Sequence, residues 1–214
     1  MGELLIAVEG LDGAGKTTQV ALLASALSAA EVVSFPRYDT FFGRQIRQLL
    51  DGTGEVSAQT VDPRSMSLWY ALDRVRWARD RQPTVDGIVL LNRYTLSNAV
   101  YQSARADPEL FDWVLHLEYE ELGLPQPDVT VVLDVAPELS RDRVAHRGDA
   151  DGDVYERAAD LQSRVRDGYH AAAARRNDIV VVSAVGSPAA VHEAVLDALS
   201  PYLVSSGGSA ARPV

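Results

Sequence analysis

LLIAVEGLDGAGKTT, residues 4–18, joins three patterns that occur together in one type of fold. Leu4 to Val8 is a short apolar run with β-branched members, which predicts a buried strand. Gly10-x-x-x-x-Gly15-Lys16-Thr17 follows at once, and apolar residues at helical spacing come behind it. A strand, a glycine loop and a helix in this order form a P-loop, whose backbone N–H groups bind phosphate. The stretch therefore predicts an α/β protein that binds a nucleotide.

The loop and the start of its helix supply the candidate ATP-binding residues. Glycines lack a Cβ, so their N–H groups can turn toward phosphate oxygens. Lys16 is a mobile positive charge for the β- and γ-phosphates, and the Thr17 hydroxyl can ligate Mg²⁺. The predicted set is Gly10, Leu11, Asp12, Gly13, Ala14, Gly15, Lys16, Thr17 and Thr18. Taken alone, the motif indicates only an NTPase or a kinase.

The composition restricts the class of protein. The 214 residues are enough for one domain with a sizeable core. A formal net charge of −10 argues against a general nucleic-acid or anionic-membrane binder. No cysteine is present, which excludes disulfides and thiol catalysis. The chain starts without a basic and apolar leader, and no apolar run could span a membrane, so we expect a cytoplasmic enzyme without a membrane or nucleic-acid partner.

Apolar runs alternate with helical patterns along the rest of the chain. The predicted strands after the first are 32–35, 88–91, 129–135 and 179–183. The main predicted helices are 63–81, 97–105, 108–122, 154–175 and 188–203, with a shorter one around 46–50 and another opened by Pro137. This alternation implies a parallel sheet covered on both faces, with ligands at the carboxyl ends of its strands. We expect one domain over 1–204 and a disordered tail over 205–214.

Five further segments carry a more specific pattern. They are 35–38 (FPRY), 71–74 (ALDR), 92–102 (NRYTLSNAVYQ), 122–128 (LGLPQPD) and 153–157 (DVYER). Together with the P-loop and its Asp12, these segments resemble the thymidylate kinase family, enzymes that phosphorylate dTMP with ATP. The resemblance runs from Leu4 to about Leu203 and is most similar to the actinobacterial branch.

The resemblance implies a fold, a reaction and an assembly. The fold is an α/β P-loop NTPase three-layer sandwich, a five-stranded parallel sheet flanked by helices, with a lid over about 143–153. The reaction is Mg²⁺-dependent transfer of the γ-phosphoryl group of ATP to dTMP, giving dTDP and ADP. The assembly is a homodimer formed through the helices around 63–80.

The resemblance also assigns an acceptor site for dTMP. Arg37 and Arg93 match arginines at the monophosphate, where a guanidinium can make bidentate contacts. Arg74 matches the residue that reads the thymine edge, and Tyr70 matches the ring that stacks on the base. The other matching residues are Phe35 and Pro36 at the methyl group, Ser97 and Asn98 near the base and phosphate, Tyr101 and Tyr155 at the sugar, Tyr38 nearby, and Glu156.

Metal ligands follow from the same comparison. Asp12 and Glu156 match acidic groups that hold Mg²⁺ or the sugar 3′-hydroxyl, and Thr17 completes the candidate set. Ordinary structural explanations stay open for several positions. Tyr70, Tyr101 and Tyr155 could be core residues, Arg74 could belong to a surface ion pair, and Asp12 could cap the P-loop helix.

Phosphoryl transfer needs positive charge around the transferred group. The candidate catalytic residues are Lys16, Arg93, Asp12, Arg143 and Arg147. The last two come from the lid, because Gly13 stands where some members of the family carry a P-loop arginine. Arg147→Ala is expected to lower kcat far more than it raises the KM for ATP, whereas Arg143 could instead lie on the buried side of its helix.

Two features depart from the family pattern. Asn92 stands where an acid normally precedes the Arg-Tyr pair, and the lid is short and acidic, with Asp149, Asp151 and Asp153. An amide keeps an acceptor oxygen but loses the charge that helps to place Mg²⁺. Two alternatives therefore stay open, a nucleotide-binding protein with degenerate catalysis and a deoxynucleoside kinase acting on thymidine. Asn92 cannot be the general base that the second alternative needs.

Overall fold

The elements of the protein come from a computed structural model that describes residues 2–52, 55–83, 87–146, 155 and 158–205. The strands are β1 (Leu4–Gly10), β2 (Glu31–Ser34), β3 (Ile88–Asn92), β4 (Val129–Asp134) and β5 (Ile179–Ser183). The helices are α1 (Lys16–Ala26), α2 (Phe41–Asp51), α3 (Pro63–Asp80), α4 (Thr95–Arg105), α5 (Glu109–His116), α6 (Pro137–Ala145), α7 (Ala159–Arg175) and α8 (Pro188–Ser205). A π-helical turn at Leu117–Glu121 continues α5.

The strands form one parallel sheet in the order β2-β3-β1-β4-β5. β1 lies at its centre, where Leu4 is in register with Ile88 of β3 and Ile6 with Val129 of β4. Parallel neighbours need a crossover, and helices supply it. The expected five-stranded parallel sheet flanked by helices is therefore confirmed.

β1 is buried along its whole length because helices pack on both of its faces. Ile6 and Val8 belong to the larger core cluster, which includes side chains of α1, α4, α7 and α8. Leu5 and Ala7 point the other way and join a second cluster with Trp77 of α3. A strand covered on two sides is apolar at successive positions, as this one is.

The carboxyl ends of β1 and β3 lie side by side and bring two polar segments together. Val8 is in register with Asn92, and the N–H of Arg93 donates to the carbonyl of Val8 at 2.9 Å. The glycine loop leaves β1 at this edge, and α1 starts directly after the loop. The segment that follows β3 therefore faces the P-loop.

Two predicted boundaries differ clearly from the structure. The short helix expected around 46–50 is longer, since α2 covers Phe41–Asp51. α7 begins at Ala159 rather than near 154, because Tyr155 lies in a turn ahead of the helix. The Tyr155 carbonyl accepts hydrogen bonds from the N–H of Ala158 at 3.2 Å and from the side chain of Gln162 at 2.9 Å. Residues 147–154, 156 and 157, which include most of the predicted lid, and 206–214 of the predicted tail lie outside the described residues.

The longest helices of the described part, α3 and α8, have 18 residues each. Neither they nor the other described helices combine the length and apolar character needed to cross a bilayer.

Candidate active site

The glycine loop turns sharply between β1 and α1. Gly10, Gly13 and Gly15 have φ angles of 135°, 81° and 93°. Gly15 immediately precedes the helix, and no side chain caps the first turn of α1. The N–H groups at the start of α1 are therefore left for an anion, as the sequence predicts for a phosphate site.

Lys16 is folded back onto its own loop. Its Nζ donates to the carbonyls of Gly10 at 3.1 Å and Leu11 at 2.7 Å, and it lies 3.6 Å from the carboxylate of Asp12. Burial and the nearby Arg93 lower the pKa of Lys16 to about 8. The ammonium group is thus held where a phosphate oxygen can replace the carbonyls.

Arg93 is the second cation at this edge. It has a φ of 64°, an unusual conformation for a residue with a side chain, which turns it toward the loop. Its guanidinium forms an ion pair with Asp12 and donates to Ser97 Oγ at 3.0 Å. The hydroxyl of Tyr101 also donates to Asp12, at 3.3 Å. Burial opposes ionisation of Asp12, but Arg93 and Lys16 hold the pKa of its carboxyl well below the ordinary value.

Glu9 supports this cluster and was not among the predicted site residues. It is fully buried and accepts hydrogen bonds from the N–H groups of Tyr94 at 2.8 Å and Ser97 at 3.1 Å, and from the Ser97 hydroxyl. It therefore caps α4 from β1, since Tyr94 offers no side-chain cap. Burial raises the pKa of Glu9. The sequence signal that could have identified Glu9 is its place as a single acid at the end of the apolar run Leu4 to Val8.

The predicted base-reading residues lie in a buried polar network. Arg74 is 2% exposed, so the alternative of a surface ion pair is wrong. Its Nε and Nη2 donate to the two oxygens of Glu118 at 2.7 and 2.5 Å. Glu118 also accepts from Asn98 Nδ2 at 2.7 Å and from the Thr95 hydroxyl at 2.7 Å. Asn98 Nδ2 donates in addition to the carbonyl of Ser67 at 3.1 Å.

The four residues that follow β2 occupy different environments. Phe35 is buried, with its ring centroid 5.5 Å from that of Trp77. Pro36 follows it and leads to Arg37, whose N–H donates to Asp73 at 2.7 Å. Arg37 Nη1 is buried and has no hydrogen-bond partner among the described residues. Tyr38 is 41% exposed, and its ring centroid is 5.3 Å from the guanidinium carbon of Arg47.

Two aromatic side chains stack beside the cluster. The rings of Tyr101 and Tyr155 have centroids 5.9 Å apart and planes 30° apart, and both residues are buried. Tyr70 of α3 is half-buried against the larger core cluster. Of these three predicted tyrosines, Tyr70 thus lies on α3, Tyr101 on α4 and Tyr155 in the turn ahead of α7.

The lid arginines are only partly described. Arg143 of α6 donates to the carbonyl of Ala184 at 3.0 Å and to that of Gly13 at 3.5 Å, so it bridges the P-loop and the segment after β5. Arg147 and Glu156 lie outside the described residues. Leu11 and Ala14 of the predicted ATP-binding set lie in the loop between β1 and α1, and Thr18 lies in the first turn of α1.

Thr17, Asn92 and the carboxylate of Asp12 described above are the groups of the described residues that could hold a metal ion. Asn92 Nδ2 lies 3.5 Å from Thr17 Oγ1 and 3.2 Å from Ser34 Oγ. Asn92 Oδ1 is buried, and no donor in the described part of the chain reaches it. Hydroxyl and amide oxygens suit Mg²⁺, so these side chains fit that ion together with phosphate oxygens. Within the described residues, no three His, Cys, Asp or Glu side chains form a metal-binding group.

Comparisons with known proteins agree on one family. The family model described as thymidylate kinase matches residues 8–195. The thymidylate kinase of Mycobacterium tuberculosis is 39% identical over 176 residues, which cover 75% of this chain and 81% of that protein. The thymidylate kinase of Bifidobacterium longum is 33% identical over 204 residues, covering 91% and 96%. A solved thymidylate kinase from Candida albicans superposes with a TM-score of 0.76 over 94% of this chain and 93% of that one, and its 22% identity makes it evidence for the fold alone.

Proposed function

The chain belongs to the thymidylate kinase family, and we propose that it transfers the γ-phosphoryl group of ATP to dTMP with the help of Mg²⁺. The resemblance to actinobacterial members is confirmed by the Mycobacterium and Bifidobacterium relatives. The enzyme is a nucleoside monophosphate kinase, and the products of the proposed reaction are ADP and dTDP.

One observation carries the assignment of the site. Lys16 and Arg93 share the single carboxylate of Asp12 where β1 and β3 end. Two cations are therefore held together where these strands end, in a protein whose formal net charge is −10. Such a cluster suits two substrates that bring their phosphate groups together at one point.

The donor side is proposed to be the P-loop. Phosphate oxygens would replace the carbonyls of Gly10 and Leu11 as partners of Lys16, and the N–H groups at the start of α1 would hold the same phosphates. Mg²⁺, when bound, neutralises phosphate charge, and Thr17, Asn92 and Asp12 are the described residues proposed to hold it. Glu156 stays a candidate ligand from the sequence.

The acceptor side is proposed to lie between α3, α4 and the segment after β2. Arg37 Nη1 is a buried donor that needs an acceptor, which a monophosphate would provide. Arg93 is held by Asp12 and Ser97 at the junction of the two sides. Both arginines are therefore proposed to orient the acceptor phosphate, while Arg74 and Asn98 read the base.

The remaining assignments are also proposals. Phe35, Pro36, Tyr38, Tyr70, Tyr101 and Tyr155 are proposed to line the acceptor pocket, and Arg143 and Arg147 to supply further positive charge. The single domain, a lid over about 143–153, a disordered tail and a cytoplasmic location stay predictions.

A homodimer through α3 is proposed on the basis of exposed apolar side chains. Leu68 and Leu72 on α3 are 43% and 39% exposed, and Phe41 at the start of α2 is 61% exposed. A cluster of large apolar residues at the surface favours contact with another protein surface. Light scattering on the wild type and on Leu72→Glu tests this proposal. We expect the wild type to be a dimer and Leu72→Glu to be a monomer. A monomeric wild type would contradict the proposal.

Asn92 favours one alternative, a binding protein with degenerate catalysis. The test measures ADP release with ATP and Mg²⁺ in the presence of dTMP, dUMP, thymidine or no acceptor. Wild type, Asn92→Asp and the inactive control Lys16→Met are compared. We expect wild-type turnover with dTMP well above that with thymidine. Turnover only in Asn92→Asp would support the degenerate alternative, and a preference for thymidine would support a deoxynucleoside kinase.

A further inference from the structure

Glu118 organises the base side of the acceptor site. It is fully buried on the π-helical turn Leu117–Glu121, and it accepts four hydrogen bonds from Arg74, Asn98 and Thr95. Single π-helical turns are rare and often occur at functional sites. Both side chains proposed to read the base are therefore bonded to one carboxylate, which makes them neighbours.

The contacts of Asn98 fix the orientation of its amide. Its Nδ2 lies 2.7 Å from a Glu118 oxygen and 3.1 Å from the Ser67 carbonyl, and both of these atoms can only accept. The flipped amide would bring Oδ1 against two oxygens, so the hydrogen-bond network excludes it. Asn98 is 3% exposed, and no described group donates to its Oδ1. An acceptor without a partner is thus left buried beside Arg74.

Arg74 is oriented by the same carboxylate. Its Nε and Nη2, which form one edge of the guanidinium, both donate to Glu118. Nη1 is the nitrogen left over, with no hydrogen bond to any part of the described chain. Arg74 and Asn98 therefore offer one donor and one acceptor next to each other.

We propose that Glu118 is a positioning residue that makes the acceptor site selective for pyrimidines with a hydrogen on N3 and a keto oxygen on C4. Thymine and uracil offer a donor at N3 and an acceptor at O4, which complement Asn98 Oδ1 and Arg74 Nη1. Cytosine offers an acceptor at N3 and a donor at N4, so each contact would join two like groups. The inference rests on the proposed function, because it concerns the base of the acceptor nucleotide.

The first test compares Glu118→Gln with Glu120→Gln, an exposed glutamate on the same turn. The measured quantity is kcat/KM for dTMP, dUMP and dCMP. We expect wild type to prefer dTMP over dCMP by roughly 10⁴-fold, as sites built around hydrogen bonds do. Glu118→Gln should lower this ratio by at least about tenfold, because its amide NH2 would face two donors, one Arg74 nitrogen and either Asn98 or Thr95, where Glu118 offers an acceptor. Glu120→Gln should leave it unchanged.

A purely structural role for Glu118 would give a different result. It would lower activity with every acceptor equally and leave the ratio of dTMP to dCMP unchanged, which would overturn the proposal. If Glu118→Gln does not fold, Glu118→Asp replaces it. That variant keeps the charge beside Arg74 but is one methylene shorter, so it cannot hold Asn98 in the same way, and the ratio should again fall.

A double-mutant cycle tests whether Glu118 acts through Asn98. In an Asn98→Ala background the acceptor oxygen is already absent and only the contact through Arg74 is left, so Glu118→Gln should lower the ratio by a smaller factor than it does in the wild-type background. If Glu118→Gln lowers the ratio of dTMP to dCMP equally in the wild-type and Asn98→Ala backgrounds, the proposal that Glu118 acts through Asn98 is overturned.

The experiment separates this inference from the proposed function. Wild type that phosphorylates no acceptor would contradict the proposed function only. Calorimetric titration of dTMP and dCMP into the same variants would then decide the inference. Wild type that binds dTMP more tightly, with the preference reduced in Glu118→Gln, supports it, and equal wild-type affinity for the two nucleotides overturns it.

Discussion

The guanidinium carbon of Arg105 lies 5.1 Å from the centroid of the Tyr155 ring. Tyr155 stacks on Tyr101 at 5.9 Å, and the guanidinium carbon of Arg93 lies 5.4 Å from the centroid of Tyr101. Two arginines and two aromatic rings therefore form a continuous series of contacts. It connects the end of α4 to the cation that we propose for the acceptor phosphate.

Arg105 also anchors the segment between α2 and α3. Its Nη2 donates to the carbonyls of Ala58 at 2.5 Å and Val61 at 2.8 Å, and its Nη1 donates to Gln102 at 2.6 Å. The residue is therefore held rigidly against Tyr155.

Arg105→Met is expected to weaken acceptor binding because it removes the cation behind Tyr155 and the hydrogen bonds that anchor the segment between α2 and α3. Cation–π contacts are worth about 0.5–2 kcal/mol, so the KM for dTMP should rise about 2- to 30-fold while kcat changes little. Arg164→Met is the matched control. Arg164 donates to the Ala104 carbonyl at 2.9 Å, and together with Arg105 and Tyr155 it lines a cavity of about 430 Å³. A fall in kcat at constant KM, or an equal effect in the control, would contradict the prediction.

The fold was predictable because its signals are local. Apolar runs and the spacing of Gly10, Gly15 and Lys16 predict the strand, loop and helix, and the alternation along the chain predicts the parallel sheet. Glu9 and Glu118 were not predicted, because their roles depend on partners far along the chain. Glu9 bonds Ser97, 88 residues away, and Glu118 bonds Arg74, 44 residues away. The turn at Tyr155 was not predicted either, because the Tyr155 carbonyl accepts a hydrogen bond from the side chain of Gln162 inside α7.

Gly13→Ala is expected to destabilise the protein more than Gly15→Ala. Both glycines have positive φ, 81° and 93°, so an alanine at either position costs about 1–2 kcal/mol of strain. A Cβ at Gly13 would also clash with the carbonyl oxygen of Ser140 in α6, whereas nothing lies within 4 Å of a Cβ at Gly15. α6 would have to move away from the loop.

Urea unfolding without ligands measures the two free energies of unfolding. The loss for Gly13→Ala should exceed that for Gly15→Ala by about 1 kcal/mol or more, in line with the cost of overpacking. Equal losses would show that α6 adjusts freely to the added methyl group.

Lys16 is expected to set the alkaline limit of ATP use. Its pKa in the free protein is lowered to about 8 by burial and Arg93. Above this pH the amine becomes neutral and loses its attraction for phosphate, so kcat/KM for ATP should fall tenfold per pH unit. Lys16→Arg should have a lower kcat/KM for ATP overall. It should not show the fall above pH 8, because arginine stays protonated. A wild-type profile that is flat to pH 10 would contradict the prediction.

Asp134→Asn is expected to destabilise the protein at neutral pH but not in acid. The Asp134 carboxylate at the end of β4 accepts from Arg166 at 2.7 and 2.8 Å and from His170 at 3.0 Å, and these hydrogen bonds lower its pKa. The unfolded chain therefore binds its proton at higher pH than the folded protein does. The stabilisation is present above the unfolded pKa and is lost as pH falls through the folded pKa.

Urea unfolding of Asp134→Asn should accordingly show a loss of about 1–2 kcal/mol at pH 7 that shrinks steadily below pH 4. Asp112→Asn is the matched control, because Asp112 pairs with Arg175 at 2.9 Å and both side chains are more than half exposed. Exposed pairs contribute about 0–1 kcal/mol, so this variant should lie close to wild type at both pH values. A loss for Asp134→Asn that stays constant into acid would assign the effect to packing rather than to the charge of Asp134.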